Sequence, residues 1–232
     1  MSNFVPKKPT QQSPLHSKTL TKSVIMATII AAHPAPVEIT MEDIIAGLQK
    51  TSALSEAEMN AIRTMIPVKV FKKGSLLLRE GQISSTGYFL FKGCVRAWLL
   101  KDNEEKTTEF YTEGDALAPY ISGKQALPSK QYWECMEDCT VAVFSQETEK
   151  KLYGQFPRLE SLCRLSTEED LGQLREKMAS FASSTPEERY TALLEQRPWL
   201  LDRVPQYHIA GYLGLTPESL SRIRRRIAKK SA

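Results

Sequence analysis

Gln206-Tyr-His-Ile-Ala-Gly-Tyr-Leu-Gly-Leu-Thr-Pro-Glu-Ser-Leu-Ser-Arg-Ile-Arg-Arg-Arg-Ile227 is the stretch from which the rest of the 232-residue chain can be read. It holds two short helical patterns joined by a corner. Ala210 puts a small side chain in the first helix, so that a second can pack close. Four residues later Gly214 stands where the chain must reverse through a left-handed conformation that favours glycine. Ile209, Leu213, Leu215, Leu220 and Ile223 fall where the two helices share an apolar seam. Thr216 as N-cap and Pro217 at the first helical position start the second helix. The spacing predicts a helix-turn-helix.

The second helix separates into two faces. Leu220, Ile223 and Ile227 recur at three- and four-residue spacing and face inward. Glu218, Ser221, Arg222 and Arg225 lie on another side, free to enter a major groove. Their chemistry suits base reading: Arg binds guanine O6 and N7 in bidentate fashion, and Glu accepts from cytosine N4. After Glu218 the chain is basic, with no further acid. Gln206, Ser219, Arg226, Lys229 and Lys230 are the candidates for phosphate contacts. A solvated basic helix capping a core would not require the small residue, the glycine and the apolar seam to coincide.

Glu218-Ser-Leu-Ser-Arg222 resembles the recognition-helix signature of the catabolite-activator/fumarate-nitrate (CRP/FNR) regulators. Val204 to Pro217 is similar to the same family's first helix and turn. Carried over by motif, Glu218, Ser221 and Arg222 would contact bases. The resemblance implies an N-terminal jelly-roll sensor, a long dimerisation helix and a palindromic DNA site.

Composition agrees with a soluble globular protein, 41% hydrophobic and 25% charged. The net charge of +4 is unevenly spread: residues 1–40 carry +3, 41–184 carry −3 and 185–232 carry +4. A general nucleic-acid coat would distribute it more evenly. Cys94, Cys135, Cys139 and Cys163 form no CxxC pair, and the only histidines are His16, His33 and His208. A zinc or iron–sulfur site therefore lacks ligands, no cofactor is expected, and the thiols read as buried and reduced. If Cys135 and Cys139 shared a strand, they would share a face. An enzyme is not expected: residues 41–184 contain no histidine, and no glycine-rich phosphate loop occurs.

Residues 1–40, with Pro6, Pro9, Pro14, Pro34 and Pro36, read as a disordered leader or a start-site artefact, Met26 and Met41 being alternative starts. Its apolar run, Val24 to Ala32, is too short to span a membrane, so no membrane partner is expected. Residues 41–65 are helical in pattern, with Ser55-x-x-Glu58 as a capping box. The period then changes. Short β-branched or aromatic runs at 68–71, 76–79, 88–91, 95–100, 106–111, 132–136 and 140–144 are punctuated by turn signals, Gly74, Gly81, Gly93, Lys101-Asp-Asn103 and Gly114. Such punctuation predicts a sandwich or jelly roll. Gly74, Gly81, Tyr88, Gly93-x-Val95 and Gly114-Asp115 resemble the family's sensor domain.

The resemblance also implies where an effector would sit. In cyclic-nucleotide-binding members a Gly-Glu pair and a later Arg-Ser/Thr pair hold ribose and phosphate. A buried phosphodiester needs a fixed cation and donors. Here Gly114 is followed by Asp115, and no arginine lies between Arg96 and Arg158. Ser129-Lys130 stands near the place of the Arg-Ser pair, without the planar fork of Arg. Gly114, Asp115, Ser129 and Lys130 are thus the candidate effector residues, and cAMP is not the expected effector.

Leu159, Leu162, Leu165, Leu171, Leu174, Met178 and Phe181 stripe a helix from 157 to 181, the expected homodimer seam. Two recognition helices would then stand about one DNA turn apart. Thr185-Pro-Glu-Glu188 starts the next helix, and the short 197–205 connection argues against a β-wing. The expected architecture is α+β: a jelly-roll sensor at 41–155, a dimerisation helix at 156–184 and a helix-turn-helix domain at 185–232. The expected partners are double-stranded DNA, a second copy of the chain, a small-molecule effector of unknown identity if one exists, and RNA polymerase if the protein activates. Such a regulator would be cytoplasmic. The alternative is a jelly-roll signalling or small-molecule-binding module that does not act on DNA.

Overall fold

The protein's structure, a computed structural model, describes residues 39–119, 121–122 and 125–230. The expected leader lies outside these residues, except for Ile39 and Thr40. Ile39 is buried and donates its N–H to the Phe91 carbonyl at 2.8 Å. Thr40 caps α1 (Met41–Thr51) in a capping box with Asp43. Ser55 and Glu58 form the expected box at the start of α2 (Glu56–Met65).

Ten strands follow: β1 (Val68–Phe71), β2 (Leu76–Leu78), β3 (Gly87–Lys92), β4 (Val95–Lys101), β5 (Glu104–Tyr111), β6 (Ala116–Leu117), β7 (Ile121–Ser122), β8 (Gln125–Ala126), β9 (Tyr132–Cys135) and β10 (Cys139–Phe144). Two antiparallel sheets, ordered β1-β10-β3-β6 and β2-β9-β4-β5, form the jelly roll, with β7-β8 as a separate hairpin. The three two-residue strands have no sequence pattern long enough to show alternation. β4 and β5 join through Asp102 and Asn103, both with positive φ, as a two-residue hairpin turn requires.

Alternation sorts the side chains of both sheets. Val95 and Ala97 of β4, Trp133 and Cys135 of β9, and Val141 and Val143 of β10 point between the sheets into one core. Ala142 and Phe91 point outward from the first sheet and are covered by α1 and α2, by α3 (Gln146–Gln155) and by the start of α4 (Pro157–Ser183). The outer face of the second sheet is covered instead by the C-terminal helices.

Those helices are α5 (Pro186–Gln196), α6 (Leu200–Arg203), α7 (Gln206–Tyr212) and α8 (Pro217–Lys230). Thr185 and Glu188 cap α5 reciprocally, and Ser184 breaks the chain between α4 and α5 with an extended backbone. Leu200 is fully buried. Among the described residues, 186–230 contain no strand and so no wing. Cys94, Phe110 and Met136 of the jelly roll share one apolar cluster with Tyr190, Leu193, Leu200, Ile209 and Leu220. The C-terminal core therefore continues across the domain boundary.

Two cysteine expectations need correction. Cys135 and Cys139 sit on different strands, flanking the β9–β10 turn, because the three residues between them are used to reverse the chain. Cys163 is exposed on α4, whereas the other three thiols are buried.

Candidate nucleic-acid interface

Elementary geometry builds the corner. α7 ends when Gly214, at φ +70, turns the chain; its N–H donates to Gly211 O at 3.1 Å, and Leu215 N–H donates to Ala210 O at 2.8 Å. The Thr216 hydroxyl accepts from Ser219 N–H at 3.3 Å, capping α8. Ile209, Leu213, Leu220 and Ile223 of the expected seam are buried, with Ala210 beside them, and Leu215 is half-buried against the same cluster.

With that side buried, the other side of α8 is presented outward. Glu218, Arg222 and Arg225 are exposed and Ser221 is half-buried. The Arg222 guanidinium donates to the Ser219 hydroxyl at 3.3 Å, which holds it along the helix. Glu218 is held below the usual carboxylate range by its own backbone N–H, by Thr216 and by Arg222. It is thus ionised near the positive end of the helix dipole. Arg222, Arg225, Arg226 and Lys229 line one open groove.

The phosphate candidates are not equivalent. Gln206 and Lys229 are exposed and Ser219 is half-buried. Arg226 forms an ion pair with Glu187 of α5, which partly neutralises it. The Lys230 side chain lies outside the described part of the structure.

On the opposite side, α7 lies on β5. A Cβ at Gly211 would stand 3.7 Å from Thr107 N and Oγ1, and the Phe110 and Tyr212 rings meet edge to face at 5.4 Å. Beneath α7, Arg96 is only 1% exposed. It donates to Thr107 Oγ1 at 2.9 Å and Glu105 Oε2 at 2.7 Å. Burial, with the charge of Arg96 beside it, pushes the His208 imidazole down to about 4.

Two arginines complete this contact. Arg203 donates to both oxygens of Glu113 at 2.8 and 2.9 Å, and to Glu137 at 3.1 Å through Nε. Burial alone would lower its pKa, but the hydrogen bonds to Glu113 and Glu137 outweigh that and raise it. Arg197 donates to Phe110 O at 2.8 Å and Thr112 Oγ1 at 3.3 Å. Neither arginine stands out in the sequence, since their partners lie 66 to 90 residues away. Local pattern carries no signal at that separation.

Of the four effector candidates, Gly114, Asp115 and Ser129 make contacts within the protein and Lys130 is exposed. Gly114 and Asp115 occupy the β5–β6 turn. Asp115 Oδ2 accepts from Thr112 N–H at 2.7 Å and faces Arg197 at 3.9 Å, so it belongs to the contact with the C-terminal helices. The Ser129 hydroxyl donates to Gln131 O at 2.8 Å, and Lys130 points to solvent. Part of the expected cassette, at 120 and 123–124, lies outside the described residues.

A jelly roll joined through a long helix to a helix-turn-helix with an open basic face defines a DNA-binding transcription regulator. No family model matches the chain. It is 26% identical over 193 residues to the nitrogen fixation regulation protein FixK of Bradyrhizobium diazoefficiens, covering 78% of this chain and 80% of that one. It is 27% identical over 192 residues to the fumarate and nitrate reduction regulatory protein of Vibrio cholerae, covering 76% and 75%. Among solved structures, FixK2 from Bradyrhizobium japonicum superposes with a TM-score of 0.58 at 21% identity, covering 72% and 86%. The c-di-GMP responsive regulator CLP of Xanthomonas campestris gives 0.59 at 14%, covering 76% and 93%. These likenesses support a transcription regulator of the CRP/FNR type.

Proposed function

We propose that the protein acts as a cytoplasmic homodimer on a palindromic DNA site, with α8 of each protomer in a major groove. Residues 41–155 serve as the sensor, 156–184 as the dimerisation segment and 185–232 as the reader. Glu218, Ser221, Arg222 and Arg225 read base edges. Gln206, Ser219, Arg226, Lys229 and Lys230 contact phosphates. The observation that carries this reading is the division of α8: Leu220 and Ile223 are buried in the corner while Glu218 is exposed and Arg222 and Arg225 line one open basic groove.

Dimerisation rests on α4. Leu171, Leu174, Met178 and Phe181 are 46–64% exposed along its second half, an apolar stripe that a second copy would cover. Of the rest of the expected stripe, Leu159 and Leu162 are instead buried in the protomer's own core against Phe91 and Ala142, because the start of α4 lies on the jelly roll, and the Leu165 side chain lies outside the described part. Any effector would act through the jelly roll, and its chemistry differs from that of cAMP, since Asp115 is turned to Arg197 and Lys130 to solvent. Contact with RNA polymerase would follow if the protein activates. Among the described residues no helix is long and apolar enough to cross a membrane.

The test is selection of bound oligonucleotides by the purified protein, with and without the small-molecule fraction of a cell extract. The expected result is an enriched palindrome. A signalling module that does not act on DNA would enrich no sequence.

A further inference from the structure

Only two extended residues, Ser184 and Thr185, separate α4 from α5, so the covalent link by itself lets the C-terminal helices swing relative to the jelly roll. The contact between α7 and β5 is largely apolar, and apolar contacts are non-directional. A buried guanidinium fork is different, because its donors must meet both carboxylate oxygens in one geometry. Arg203 makes such a fork with Glu113, whose side chain is 8% exposed. Glu113 is itself fixed, accepting from Gly93 N–H at 2.8 Å. Glu137, in the β9–β10 turn, accepts from Arg203 Nε and Nη2. Two loops of the jelly roll therefore grip one side chain of the reader. The grip lies away from Glu218, Arg222 and Arg225, which remain exposed.

We propose that Arg203 is a positioning residue that sets the half-site spacing the dimer accepts. By fixing each reader on the outer sheet of its own sensor, it fixes the distance between the two recognition helices. The inference rests on the dimeric, two-half-site reading above.

The experiment measures binding of the full-length protein to palindromes whose half-sites, taken from the selected sequence, are moved apart or together by single base pairs. The wild type should prefer one spacing by about tenfold or more over spacings changed by one or two base pairs. Arg203→Gln should flatten that preference to within about threefold, with affinity for a single half-site unchanged. An unchanged spacing profile in the variant would overturn the proposal. So would an equal loss of half-site affinity, which would make Arg203 merely structural. Should Arg203→Gln fail to fold, Glu137→Gln is read the same way. Hydrogen exchange on the DNA-free protein provides an independent arm: β5 and α7 amides should exchange faster in either variant, and unchanged exchange counts against the clasp. A wild type that binds no duplex refutes the DNA reading instead, and leaves the exchange result to judge the clasp.

Discussion

Arg222 and Gly93 show how one position can be governed by chemistry or by space. Arg222 stands on the exposed side of α8, restrained by Ser219 but not buried. Arg222→Ala should cost about 1–3 kcal/mol of specific binding and relax discrimination at one G·C pair. Competition binding against single-base operator variants measures both; unchanged base preference would remove Arg222 from the reading set. Gly93 is governed by space. Its φ is +111, and a Cβ there would lie 2.6 Å from Cys139 Sγ and 2.8 Å from Asp138 O. The backbone N–H of the same residue holds Glu113. Gly93→Ala should destabilise the fold by about 2–4 kcal/mol, read from the denaturation midpoint. The glycine was legible in the sequence as a turn residue, but its tight fit against the β9–β10 turn was not. That fit depends on residues more than forty positions away.

At the scale of elements, α4 and α8 bear their functional residues on stripes, and stripes can be read in sequence because a helix repeats every 3.6 residues. The apolar stripe of α4 ends at Phe181, whose ring also carries the Arg189 guanidinium at 4.3 Å and reaches the Gly214 corner. Leu174→Glu should convert the dimer to a monomer in sedimentation and weaken binding to the full palindrome by roughly 10²-fold. Persistence of the dimer would place the seam elsewhere. On α8, Lys229→Ala should weaken binding to all sequences and lower the salt slope by about one per protomer. Arg226→Ala should do less, because Glu187 already partly neutralises that guanidinium. Equal slopes for the two variants would show that the ion pair breaks on DNA. The pairing of Arg226 had no sequence signal, since Glu187 lies on another helix.

For the molecule as a whole, the decisive feature is that the jelly roll and the C-terminal helices share a buried boundary. His208 sits in it, neutral because burial and Arg96 oppose its protonation, with Glu105 acting in the other direction. A histidine whose folded pKa is lowered to about 4 takes its proton first in the unfolded or undocked state, near the ordinary 6.5. Stability should therefore fall as pH drops through the window from 6.5 toward 4. Thermal midpoints measured between pH 7 and 5 should decline in the wild type and decline less in His208→Gln. Parallel curves would mean that the histidine is not buried in solution.

Sequence alone determined the parts: a corner from Ala210, Gly214 and Thr216, a strand series from its glycine-punctuated runs, and a helix between them. These are local properties, set by backbone preference and by the spacing of apolar residues over one or two turns. Only the tertiary structure decided how the parts meet. It set Asp115 beside Arg197, buried Arg96 on the outer face of its sheet, and joined Arg203 to Glu113 and Glu137. Those contacts link residues dozens of positions apart, and buried charge demands a specific partner that no periodicity along the chain can name.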